Sequence, residues 1–228
     1  MPGEIVLAGG DEFRPGCEEM DSTILKATGA KLPRVLILPT AAVTAPEKAG
    51  FHGVQYFSSL GAAASTLMVV GREEANDQEL TKDVPGASMV YFTGGSPDHL
   101  LSALQGTVLL DRLYEALDTG AIIGGSSAGG MVMGSLMRGP SSREWTEGLG
   151  IVQGLAVLPH HEKSDPPTMA RDLAKTVPQE LKVLGIDART CVFGTPGRWR
   201  VLGVGNVTTY LDGSWATFGS GQSLPQGW

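Results

Sequence analysis

Five short apolar runs constrain this chain more than any other feature. EIVLAG (residues 4–9), RVLILPT (34–40), STLMVVG (65–71), SMVYFTG (88–94) and AIIGG (121–125) each hold four to six strand-forming residues without polar alternation. A strand of that kind is covered on both faces, as in a parallel sheet sandwiched between helices. The segments between them carry helical spacing. CEEMDSTILKAT and TVLLDRLYEALDTG are the clearest, the second running into Gly120 as a helix end does. Strand and helix in repetition predict an α/β fold with a doubly wound, mostly parallel sheet. Beyond about residue 140 the pattern changes. RGPSSREWTEGLGIVQG is rich in turn formers, HHEKSDPPTMARDLAKTV runs from a loop into a helix, and VLGVGNVTTYLDGSWATF alternates like a C-terminal antiparallel hairpin turning at Asp212-Gly213. No linker, repeat or low-complexity tract interrupts the 228 residues, so a single domain over 1–228 is expected.

The charge balance narrows the partners. With a formal net charge of -7 and no run of Lys or Arg, the chain repels a phosphate backbone, which argues against nucleic acid. No stretch approaches the 18 apolar residues of a membrane span, and MPGEIVLAGGDEF has no basic segment followed by a long apolar one, so neither membrane nor secretion is expected. Cys17 and Cys191 are the only cysteines, too few for a disulfide framework or a zinc site built on CxxC pairs. The expected setting is the reducing cytoplasm. HHE at 160–162 has no further ligands at metal spacing, so no metal and no cofactor is expected.

In open parallel sheets ligands gather at the carboxyl ends of the strands. Here those ends read GGDEF, PTAA, FTGGSPDH and GGSSAGG. Gly125-Ser126-Ser127-Ala128-Gly129 fits G-x-S-x-G, a sharp strand-to-helix turn that lifts the central hydroxyl above the sheet. Ser127 would begin the helix SAGGMVMGSLM, where the backbone N–H of Ala128 can face a developing oxyanion. Gly94 and Gly95 can bring a second N–H from the neighbouring strand end. A Gly/Ser-rich turn that merely starts a helix, with Ser127 as its N-cap, is the competing reading. A serine nucleophile needs a base. His52 falls in a helical segment and His99 at the start of another, whereas His160 and His161 stand where a strand-like run meets a loop after the elbow; position favours this pair. An α/β-hydrolase would place its histidine near the end of a longer chain, but no histidine follows residue 161.

GGDEF, LILPTAA, YFTGGSP, GGSSAGG and LPHHEK, in that order across most of the chain, resemble peptidase family S51, which contains aspartyl dipeptidase (peptidase E) and cyanophycinase. The resemblance implies a class I glutamine amidotransferase-like (flavodoxin-like) fold, with serine in place of the amidotransferase cysteine, and cleavage of small peptides or isopeptides rich in acidic residues. It implies Ser127 as nucleophile, Ala128 and Gly95 as oxyanion donors, Thr93 and Gly94 in the substrate-binding turn, and His160 as base with His161 as the alternative. In the family a GIDE stretch carries the glutamate that orients the histidine. Here it reads Gly185-Ile186-Asp187-Ala188. Three alternatives follow: Asp187 takes the role, another acid such as Asp165 does so, or the histidine works without a strong acidic partner. An acidic substrate group needs a fixed cation. Lys163 and Arg171 are the nearby candidates, Arg171 the better. The expected activity is therefore that of a serine peptidase acting on small peptides through an acyl-enzyme on Ser127, in a chain that can form a homodimer. The alternatives are a non-catalytic member that binds a small ligand with a degraded triad, and a cyanophycinase-like isopeptidase.

Overall fold

Four of the five apolar runs end up in the middle of a seven-stranded sheet. In the computed structural model, which describes residues 3–139, 142–178 and 180–228, strands β1 (Ile5–Ala8), β2 (Arg34–Leu38), β3 (Ala63–Thr66), β4 (Met89–Phe92) and β5 (Ile122–Ser126) alternate with helices α1 (Glu18–Ala27), α2 (Pro46–Ser59), α3 (Arg72–Ala75), α4 (Gln78–Thr81), α5 (Pro97–Leu104) and α6 (Val108–Asp118). Helix α7 (Ala128–Met133) follows β5 directly. Beyond it come β6 (Leu136–Arg138), β7 (Trp145–Glu147), β8 (Leu155–Leu158), α8 (Pro166–Thr176) and β9 (Lys182–Ile186). The chain closes with β10 (Thr190–Thr195), β11 (Arg198–Gly203), β12 (Asn206–Leu211) and β13 (Ser214–Gly219).

The large sheet has the order β11-β10-β1-β5-β4-β2-β3, parallel from β1 to β3 and antiparallel at β10 and β11. Its central strands β1, β5, β4 and β2 are apolar on both faces because both faces are covered. Val6, Val35, Ile37, Met89 and Tyr91 pack with Met20, Ile24 and Phe57 from α1 and α2 on one side. Their neighbours Leu7, Leu36, Leu38, Val90 and Phe92 pack with Leu100, Leu104 and Leu113 from α5 and α6 on the other. This is the doubly wound arrangement expected from the runs. A second sheet, β13-β12-β9-β8, holds the C-terminal hairpin, in which Leu211 pairs with Ser214 around Asp212 and Gly213, both at positive φ (49° and 75°) as a tight two-residue turn requires. Val157, Leu184 and Val207 of that sheet join the same apolar cluster as Leu7 and Phe92.

Two expectations need correction. STLMVVG is not a buried strand: β3 occupies Ala63–Thr66 at the sheet edge, half exposed, and Leu67 and Val69 are buried from the loop that follows. A run of apolar residues fixes burial but not the strand that provides it. The helix after the elbow stops at Met133 instead of running to Met137, because Gly134 turns extended and the next N–H, that of Ser135, bonds to Leu155 O at 3.0 Å, which leads the chain into β6.

On α1, Asp21 is only 2% exposed; its Oδ2 accepts the Tyr56 hydroxyl at 2.8 Å and its Oδ1 has no partner among the described residues. Burial pushes the carboxyl up to about 7 despite that hydrogen bond, with the charges of Glu18 and Glu12 adding to the effect. A carboxyl raised in the fold is held protonated there, so its contribution is complete below the unfolded value near 4 and is lost as pH rises towards 7. Ionising it costs roughly 4 kcal/mol. Thermal melts of the wild type should fall by several degrees between pH 5 and pH 8, and Asp21→Asn should flatten that dependence. An equal slope in both proteins would show that Asp21 is ionised throughout.

Candidate active site

Ser127 joins β5 to α7 at φ 48° and ψ -109°, a conformation that costs a non-glycine residue about 1–3 kcal/mol. Two backbone hydrogen bonds hold it there: its N–H donates to Ala8 O at 3.0 Å, and its carbonyl accepts from Met131 N–H at 2.9 Å. The surrounding glycines are needed for close approach. A Cβ on Gly125 would lie 2.5 Å from the Gly129 carbonyl carbon, and one on Gly129 would lie 2.7 Å from Phe92 O. The serine makes no side-chain cap on α7. The N-cap reading therefore gives way: the hydroxyl is directed at His160, with Oγ 3.4 Å from Nε2.

That histidine follows β8 in the left-handed region (φ 51°, ψ 41°), with its N–H donating to Gly9 O at 2.8 Å. Its ring occupies the space a side chain at residue 10 would fill. A Cβ on Gly10 would sit 2.2 Å from the ring Cε1, and Gly10 itself has φ 125°. GG in GGDEF thus makes the seat of the imidazole. The next residue goes the other way: His161 is buried, its Nε2 2.7 Å from the Tyr210 hydroxyl. Burial lowers its pKa, against the opposing charges of Asp187 and Glu162. It is a neutral, buried residue with no hydrogen bond to Ser127 among the described residues.

Gly95 and Ala128 line a cleft together with Ser127, and neither backbone N–H is bonded to an acceptor among the described residues. Gly94, expected to face a substrate, is different, because its N–H donates to Glu12 Oε1 at 2.7 Å. The other oxygen of Glu12 accepts the Ser126 hydroxyl at 2.8 Å. Glu12 therefore ties the end of β1 to the ends of β4 and β5. The sequence singles out its motif but not this residue, since both partners are remote in the chain. Thr93 is 1% exposed and lines the cleft, and its Oγ1 has no partner among the described residues.

Two open clefts of about 730 Å³ each meet at Ser127, His160 and Gly95. One has aromatic and acidic walls (Phe13, Phe51, Tyr56, Asp11, Glu12), with Arg14 and His52 also on it. The other carries Arg138, Arg143 and Lys163 together with Asp165 and Asp172. Arg171 is on neither; it stands exposed on α8, donating to Thr168 Oγ1 at 2.9 Å. Arg138, which sequence reasoning did not single out, pairs with Asp172 at 2.7 Å. His99 is turned away, its Nε2 2.8 Å from Val70 O.

The two candidate acids are occupied elsewhere. Asp165 caps α8 through the Thr168 N–H at 3.1 Å. Asp187 Oδ2 accepts the backbone N–H of Asn206 at 2.8 Å, tying β9 to the start of β12. No hydrogen bond joins either to His160 among the described residues. Asp187→Ala is accordingly expected to lower thermal stability by about 1 kcal/mol and to leave kcat within a few-fold of the wild type. A loss of a hundredfold or more in a steady-state assay would return the aspartate to the histidine.

The comparisons with known proteins bear on the fold and the family. The chain aligns with the crystal structure of a peptidase from an acI-B1 actinobacterium at 28% identity and a TM-score of 0.85, over 99% of this chain and 97% of that one. It also aligns with the structure of a Listeria monocytogenes EGD-e protein provisionally assigned as peptidase E, over 92% of this chain and 99% of that one. At 17% identity and a TM-score of 0.60 that second likeness speaks for the fold alone. Among curated proteins none matches. No helix of the described residues is long and apolar enough to cross a membrane. The sequence profile of peptidase family S51 matches residues 5–201, which include the glycine seat, the FTGG turn, the serine elbow and the histidine, and the chain belongs to that family.

Proposed function

We propose that this protein is a serine peptidase of one domain that hydrolyses small peptides through an acyl-enzyme on Ser127. The observation that carries the reading is the strained elbow that holds the Ser127 hydroxyl 3.4 Å from His160 Nε2, in a cleft also lined by Gly95 and Ala128, whose N–H groups are unengaged among the described residues. That separation is at the outer limit of a hydrogen bond, and contacts of this kind tighten once a substrate is seated. His160 Nε2 takes the hydroxyl proton as Oγ bonds to the scissile carbonyl carbon. The oxygen, now negative, is stabilised by the Gly95 and Ala128 N–H groups. Collapse breaks the C–N bond, and the same proton passes from Nε2 to the leaving amine. Water then attacks the ester, giving one proton to Nε2, and Oγ recovers it as the C–O bond breaks.

A short peptide suits two clefts that meet at the serine, one with acidic and aromatic walls and one with three cations and two aspartates. With Arg171 outside both, a preference for acidic residues would fall to Arg138, Arg143 and Lys163. The buried free thiols of Cys17 and Cys191 fit a reducing cytoplasm. The test is a library of dipeptides and tripeptides, with products identified by mass. Release of defined products by the wild type and none by Ser127→Ala supports the reading. Binding without turnover across the library would favour a non-catalytic member of the family.

A further inference from the structure

A base in this position works best with a negative group on the ring edge away from the nucleophile, which fixes the tautomer and stabilises the imidazolium. The order of strands says where that edge lies. β1 runs between β5 and β10. Ser127 hangs on the β5 flank of β1, through its hydrogen bond to Ala8 O. On the β10 flank, Gly9 N–H donates to Thr190 O at 3.0 Å, and Gly10 O accepts the Arg189 N–H at 2.8 Å. The ring of His160, seated over Gly10, therefore lies between Ser127 on one side and the residues just before Thr190 on the other.

One carboxylate is fixed on that far side. Glu162 belongs to the single helical turn His161–Lys163 that follows the histidine, and its Oε2 accepts the Ala188 N–H at 2.8 Å. Ala188 is the residue before Arg189, so this bond pins the carboxylate to the β10 flank. The other nearby acids lie elsewhere: Asp187 accepts from Asn206 at the start of β12, Asp165 from Thr168 on α8, Glu12 from Gly94 and Ser126 on the β4 and β5 side, and Asp11, with no side-chain hydrogen bond among the described residues, lines the first cleft. We infer that Glu162 is the positioning residue of His160, a carboxylate that returns from the histidine's own turn to the place where Ala188 offers none. The inference rests on the reading of Ser127 and His160 as nucleophile and base. It is supported by the ionisation of Glu162. Partial burial raises its carboxyl, but the Ala188 N–H, its own N–H and the charges of His160 and Lys163 outweigh this and hold it below the ordinary glutamate range. Its ion pair with Lys163, at 4.0 Å and largely exposed, leaves the carboxylate available.

Glu162→Gln isolates the charge, since the amide oxygen can still accept from Ala188. The other charged or titratable groups around the ring stay in place: Asp11, Glu12 and Arg14 from the loop after β1, His52 on α2, His161 and Lys163 on the same turn, Asp187 and Arg189 between β9 and β10, and Arg138, Arg143, Asp165 and Asp172 around the second cleft. The expected result is a kcat at least about tenfold lower, short of the ~10⁴-fold loss from a fully buried triad acid. KM should change little, the melting temperature should hold, and the acid limb of the kcat profile should move to lower pH. Glu162→Asp, which keeps the charge on a shorter arm, should recover part of the rate. The ¹⁵N signals of the His160 imidazole give a readout independent of turnover. The wild type should hold the proton on Nδ1, and Glu162→Gln should mix the tautomers. Unchanged ring signals with kcat within threefold of the wild type would overturn the inference. If instead His160→Ala keeps full activity while the ring signals respond to Glu162→Gln, the assignment of the base has failed and the pairing of Glu162 with His160 stands.

Discussion

Ser127→Ala is expected to remove hydrolysis almost entirely, with kcat falling on the order of 10⁶-fold, the loss that follows when a serine nucleophile is deleted. What the substitution leaves intact makes this a clean experiment. The serine side chain caps nothing, its backbone bonds to Ala8 and Met131 do not involve the hydroxyl, and alanine inherits the same positive φ with a slightly smaller side chain. The melting temperature should stay within a few degrees of the wild type. Ser126→Ala is the informative neighbour. That hydroxyl faces Glu12 and not His160, so its removal should cost one charge-assisted hydrogen bond and far less activity. Activity of Ser127→Ala within tenfold of the wild type would remove the nucleophile from this account.

The second large effect separates two adjacent histidines. His160→Ala should lose a similar factor in kcat, because no other base lies within reach of Ser127 Oγ among the described residues. His161→Ala should behave differently. Its ring fills the space beside Gly185, where a Cβ would come within 2.5 Å of it, and its Nε2 holds the Tyr210 hydroxyl. Removing it opens a cavity and strands a buried hydroxyl, a loss of about 2–4 kcal/mol, with measurable turnover in the protein that remains folded. Since burial lowers the pKa of this ring, protonating it opposes the fold, and the wild type should lose stability as pH falls below the unfolded histidine value near 6.5. In His161→Ala that part of the acid sensitivity disappears. Matched profiles of kcat and melting temperature for the two variants decide the assignment, and the reverse ranking would move the base by one residue.

Much of the framework is legible in the sequence because it depends on local pattern. The runs that form β1, β2, β4 and β5 are apolar on both faces, and the glycines at their ends announce where backbone and ligand meet. The same logic brings Ser127 to a strand end and His160 to the loop after β8. What is not legible depends on partners far apart in the chain. Glu12 gains its place only when Gly94, 82 residues away, and Ser126, 114 away, close around it. Asp187 looks like an acid beside the site until β12 presents the Asn206 N–H to it. Glu162 looks like a solvated turn residue until Ala188 arrives. Arg171 illustrates the opposite failure. A cation at helical spacing carries no mark of which way the helix will turn, and α8 turns this one outward.

The central claim is that Ser127 is an activated nucleophile, and the most direct measurement is covalent capture. Incubating the protein with a fluorophosphonate and mapping the adduct by tandem mass spectrometry should place one phosphonyl group on Ser127, at a rate that falls in acid, where an imidazole base is lost to protonation, and collapses in His160→Ala. An adduct on another residue, or no adduct at reagent concentrations that saturate ordinary serine hydrolases, would contradict it.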